Sequence, residues 1–377
     1  MNWFGEISQI SRLVIFTGLL FFFSACNKDT GMGSNKVDFD REAMLKHWAE
    51  QSITPAYRNF DQKFNALQAA WVNLAQNQYN SEHFAALQQE FRNSYIAFQK
   101  IKAFEIGPAA DHTFRAQLNT YPADTALIKQ NITAGNANLQ STSNLTAKGF
   151  PALDYLLFNT SAVTHLTGKA NQSQDYRNYI DALLSDMAKE WQSVYAAWIS
   201  PGNYPSAFKK ATGNSTGSAL SQVVNAVNKD FELIKNAKIG FPAGKKTLGK
   251  TYPHACEGFY SQLSKELAQA NLEAIHNFYR GMSFDGAQQG PGLMAYTEAL
   301  GATTFDGQPL YEAIDLQLAR AIEAVGQIPA PLSIAVDQNT SEVDAAYLEI
   351  QKNVILFKTD MPSAMGVLIT YQDNDGD

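Results

Sequence analysis

Apolar residues recur at alternating steps of four and three along most of the chain. Phe60, Phe64, Leu67, Trp71 and Leu74 follow this spacing, as do Phe84, Leu87, Phe91, Phe98 and Ile101, with Ser94 in register. Tyr176, Ile180, Leu183, Met187, Trp191, Val194 and Trp198 make a third stripe, and Leu220, Val224, Val227, Phe231 and Ile234 a fourth. Phe259, Leu263, Leu267 and Ala270 make a fifth, in a helix expected over 256–279, and further patterns run over 310–325 and 343–357. This spacing places each set on one face of a 3.6-residue helix, the signature of an amphipathic bundle helix. No stretch shows sustained period-two alternation, so the fold is expected to be all-α, with two helical bundles in series. Pro55, Pro329, Pro331 and Pro362 are expected to break helices, because proline lacks the N–H and crowds the preceding turn.

Punctuation between the stripes sets the expected layout. Residues 200–218 are rich in Gly, Ser, Pro and Thr, which places a junction at 201–218 between an N-terminal bundle (39–200) and a C-terminal bundle (219–377). Upstream, Arg12 lies in a short polar start, residues 13–23 are apolar, and Phe23-Ser24-Ala25-Cys26 puts small residues before a cysteine. That run falls short of the about 20 residues a membrane span takes. Residues 1–25 are therefore expected to be a lipoprotein signal peptide, cleaved so that a lipid on Cys26 anchors the chain, with 26–38 as a flexible tether. The expected location is the bacterial cell envelope, at the outer membrane, and the expected partners are that membrane and an envelope protein.

Composition narrows the function. With 29 basic against 36 acidic residues the net charge is −7, so there is no basic field for a nucleic acid. Once Cys26 is lipidated only Cys256 remains. No internal disulfide can then form, and Cys256 is expected to be a small buried hydrophobe. Gly240-Phe241-Pro242-Ala243-Gly244-Lys245-Lys246-Thr247 is one residue short of a phosphate loop and follows no strand, so no nucleotide is expected.

Candidate chemistry centres on two carboxylates. In Lys148-Gly149-Phe150-Pro151-Ala152-Leu153-Asp154 the proline suits a first helical position, which places Asp154 in the opening turn. One step of four beyond Ile101 falls on Glu105, expected to point inward and to lie near Asp154. Two such carboxylates suit an oxygen-liking divalent or ferric cation better than zinc. His47/Glu50 and His254/Glu257 each have H-x-x-E spacing, but a catalytic zinc needs three protein ligands and water, and H-E-x-x-H is absent. Asp373, Asp375 and Asp377 alternate around Gly376 without the closing glutamate of a calcium loop. No serine-nucleophile motif occurs, and no residue is singled out as catalytic.

The segment from Gly149 resembles the imelysin signature G-x-H-x-x-E followed by an aliphatic run, with Pro151 at the histidine position and Asp154 at the glutamate position. Glu105-Ile106-Gly107-Pro108 resembles a second family feature, a helix ending in Glu-aromatic-x-Gly-Pro, except that the aromatic, Phe104, precedes the glutamate. Residues 263–267 and 270–274, and the end from Lys358 through the terminal Asp-Asn-Asp-Gly-Asp, are similar to imelysin-like lipoproteins of the Bacteroides type. The resemblance implies a binding protein linked to uptake of iron or another metal, with Glu105, Gly149, Pro151 and Asp154 marking the family site. A metal-dependent peptidase is the alternative it implies, and a partner-binding structural lipoprotein is the third reading.

Overall fold

The apolar stripes lie on the buried faces of helices. The computed structural model describes residues 37–169, 171–199 and 203–371. Helix α1 (residues 41–76) is capped by the Asp40 side chain and buries Phe60, Phe64, Leu67, Trp71 and Leu74. Helix α2 (Ser81–Gln99), capped by Asn80, buries Phe84, Leu87, Phe91 and Phe98. After the short α3 (Phe114–Asn119) come α4 (Gly149–Phe158) and the long α5 (Asn171–Trp198). The second half supplies α6 (residues 219–240), α7 (Ser264–Arg280), α8 (Leu310–Gln327) and α9 (residues 341–365). The protein is all-α: among the described residues the only β features are two isolated bridges, Met282 to Gln289 and Thr303 to Pro309.

Two of the prolines expected to break helices lie inside them instead. Each of α1, α6 and α9 contains a wider π-turn, at Trp48–Ile53, Ile234–Gly240 and Ile355–Asp360. A proline follows two residues after each turn: Pro55, Pro242 and Pro362. Just before each proline an N–H reaches five residues back, Thr54 to Ala49, Phe241 to Asn236 and Met361 to Leu356. The extra residue in the turn relieves the contact between a proline ring and the carbonyl four residues earlier, so in α1 and α9 the helix continues.

Two boundaries differ from the expected ones. Helix α2 ends at Gln99, and the chain tightens into a 3₁₀ turn at Lys102–Phe104, so Glu105 lies beyond the helical stripe. Bonds from Lys100 to Ala97 and from Ile101 to Phe98 satisfy carbonyls that the helix end would otherwise leave open. Helix α7 begins at Ser264 rather than near 256, because Gly258 takes a left-handed φ of +63° and residues 256–263 turn.

Packing joins the two halves. α1 lies against α2, α8 against α9 and α7 against α8, and α7 also packs on α2. One hydrophobic core results, and the described residues from Asp38 onward form a single compact unit. Within that region Tyr204–Lys210 is a short helix, whose Tyr204 and Phe208 pack on Trp198. Phe150, in α4, stacks on Tyr95 at 4.6 Å and tilts against Phe60 and Phe98. Truncating such a ring to alanine costs about 3–5 kcal/mol, so this aromatic layer fixes where α4 sits. The expected signal peptide, Cys26 and the Asp373–Asp377 alternation lie outside the described residues.

Candidate functional site

Helix α4 starts where the chain passes directly beneath α3. Gly149 has φ +69°, and a Cβ there would lie 2.2 Å from the Leu118 carbonyl oxygen, so only glycine fits. The helix begins at this glycine, two residues before Pro151. Proline is still accommodated, because the first helical turn needs no N–H donors. Asp154, only 2% exposed, points to the turn that leads into α7. Its Oδ2 accepts from the Tyr260 N–H at 2.8 Å and its Oδ1 from the Ser261 N–H at 2.9 Å. Burial pushes its pKa up to about 6, against the opposing pull of these hydrogen bonds and of Arg92.

Around this helix start is a cavity of about 600 Å³, lined by Pro151, Asp154, Tyr121, His254, Cys256 and Tyr260 among others. His254 is exposed, its ring edge-on to Phe259 at 4.5 Å. Cys256 is buried, as expected, and burial pushes its thiol up to about 12, so it is no nucleophile at neutral pH. The other member of the H-x-x-E pair, Glu257, lies in the interior, because residues 254–257 run through a tight turn rather than along one helix face. The first such pair also separates: His47 Nε2 bonds to the Gly281 carbonyl at 2.8 Å, and Glu50 accepts from Lys209.

A second cavity, of about 680 Å³, shares Tyr121 with the first. Its wall carries Lys102, Glu105, Arg115, Asn119 and Lys229. Glu105 accepts from the Arg115 backbone at 3.0 Å and from its guanidinium at 2.5 Å. Arg115 also bonds Asp230 at 3.1 Å, and Asp230 accepts from Asn271 at 2.7 Å. Behind them Lys238 pairs with Glu257, which also accepts from Gln99 at 2.9 Å and Asn119 at 2.7 Å. Burial lowers the Lys238 pKa to about 7. Burial also pushes Glu257 upward, but Lys238 and Lys102 together hold it down at about 2.

The two carboxylates singled out in the sequence are therefore not brought together. Glu105, with a side chain 14% exposed, is bound to Arg115 in the polar cavity, whereas Asp154 belongs to the cavity of the α4 start. Among the described residues no group of three or more His, Cys, Asp and Glu side chains is placed to hold a metal ion. The interior network of Gln99, Arg115, Asn119, Asp230, Lys238, Glu257 and Asn271 was not anticipated. Its sequence trace is polar residues set into apolar stretches, such as Asp230 before Phe231 and Lys238 before Ile239.

The all-α architecture, with a glycine-proline helix start beneath α3, defines an imelysin-type helical protein. The chain belongs to the imelysin family, whose model matches residues 53–354. Two solved structures share the fold at low identity. An iron-regulated protein A precursor from Parabacteroides distasonis ATCC 8503 is 18% identical with a TM-score of 0.71, over 86% of this chain and 95% of that one. An imelysin-like protein from Psychrobacter arcticum 273-4 is also 18% identical, with a TM-score of 0.62, over 89% of this chain and 99% of that one. No curated protein matches the sequence. Among the described residues no helix is long and apolar enough to cross a membrane.

Proposed function

We propose that this chain is an exported binding protein of the cell envelope, anchored by a lipid on Cys26 at the outer membrane and serving the uptake of iron or another metal. The observation that supports binding over peptidase chemistry is the engagement of Asp154. Both carboxylate oxygens are occupied by backbone N–H groups of the turn into α7, so this carboxylate shapes the fold. Its neighbour at the histidine position, Pro151, has no side-chain atom that can bind a metal or carry a proton. The iron link draws on the Parabacteroides protein, which is described as iron-regulated. A strain lacking the chain tests the role. Growth under iron limitation is expected to fall and to be restored by the wild-type gene, while Cys26→Ser releases the protein from the membrane fraction. Undiminished growth of the deletion strain, or unchanged membrane retention of Cys26→Ser, would sink the corresponding half of this reading.

A further inference from the structure

We infer that the polar cavity binds a small organic polyanion, a di- or tricarboxylate, seated on the ammonium of Lys102. Lys102 lines the cavity with a side chain only 2% exposed, and among the described residues its ammonium has no hydrogen-bond acceptor. Its ion-pair partner, Asp230, is 3.8 Å away, beyond hydrogen-bond range. That carboxylate already accepts from Arg115 and Asn271. A buried ammonium has three donors, and leaving all three without acceptors is unfavourable. The neighbouring buried cations are matched: Lys238 by Glu257 and Gln99, and Arg115 by Glu105 and Asp230. Lys102 is thus a buried cation on the cavity wall, with Asp230 at 3.8 Å and Glu257 acting on it only through space.

The rest of the wall points the same way. Lys102, Arg115 and the exposed Lys229 bring three positive charges against the two carboxylates paired with them, Glu105 on the wall and Asp230 behind it, which leaves an excess of one positive charge. The cavity is thus a locally cationic place in a chain of net charge −7, which favours an anion over a cation. Elsewhere the wall mixes polar side chains, such as Thr120, Gln222 and Asn225, with apolar ones, such as Ile106, Ala226 and Leu233. A bare inorganic ion would leave most of the about 680 Å³ unfilled, whereas carboxylates on a carbon body can meet both kinds of surface.

Such a ligand would be the cargo, or the chelator carrying it, in the uptake role above. The inference rests on that reading for its purpose, but titration and growth can fail separately. The test is calorimetric titration of the mature chain with citrate, ferric citrate and inorganic phosphate. Citrate, free or iron-loaded, is expected to bind at one per chain and at least tenfold more tightly than phosphate. Binding of the free acid marks a carboxylate receptor, and binding confined to the ferric form marks a chelate receptor; either supports the inference. Lys102→Met should weaken binding at least tenfold and Lys102→Arg should largely preserve it. Lys229→Gln, on an exposed position that does not threaten folding, should weaken it several-fold. Absence of binding by both citrate forms, phosphate binding as tight as citrate, or binding unchanged in Lys102→Met and Lys229→Gln would overturn it.

Discussion

At the scale of single residues the family signature in this chain is a structural device. Gly149 is required twice over, by its positive φ and by the approach of Leu118. Gly149→Ala should therefore destabilise the protein by about 3 kcal/mol or more. Gly135→Ala, at a similar φ but with nothing within 4 Å, should lose only about 1 kcal/mol. Denaturant unfolding of the two variants measures the difference, and equal losses would remove the argument from close approach. Asp154 makes a second, pH-dependent prediction. Its folded pKa is raised from 3.8 to about 6, so its contribution is fully present below 3.8 and lost as pH rises through 6. The stability of the wild type relative to Asp154→Asn should fall by roughly 3 kcal/mol across that window. A flat difference would mean that the carboxylate is not desolvated as the structure shows.

At the scale of elements, the two halves are tied by ionic and amide contacts as well as by apolar packing. Lys238 on α6 and Glu257 before α7 meet Gln99 of α2 and Asn119 of α3 in the interior. Removing one charge of a buried pair strands the other, at about 3–5 kcal/mol, whereas removing both relieves the penalty. Glu257→Gln and Lys238→Met should each be strongly destabilising, and the double variant should be more stable than the sum of the two losses predicts. Strict additivity in unfolding free energies would show that the pair is not coupled. The helices themselves were legible in the sequence, because burial on one face imposes the three-four spacing that α1, α2, α5 and α6 display. Boundaries were less legible. Long-range partners reinforce both boundaries, Asp154 capturing the Tyr260 and Ser261 N–H groups before α7 and Asn271 reaching the Gln99 carbonyl at the end of α2, and no local pattern encodes such bonds.

At the scale of the whole molecule, the helices share one continuous core, because α7 packs on α2 as well as on α8. The candidate site was legible only in part. The Gly149-to-Asp154 stretch stood out as a motif, but the cationic cavity draws Lys102 and Arg115 from one half and Lys229 from the other. Residues more than 100 positions apart carry no spacing that announces their meeting. What the sequence did contain was the substitution of histidine's position by Pro151, and the structure adds that Asp154 is held by backbone donors. Together these make binding, not hydrolysis, the central claim. It is tested most directly by incubating the purified mature chain with a peptide library at neutral pH in the presence of zinc or iron and reading the peptides by mass spectrometry. The library is expected to remain intact; cleavage by the wild type that disappears in a folded Asp154→Ala variant would contradict the account.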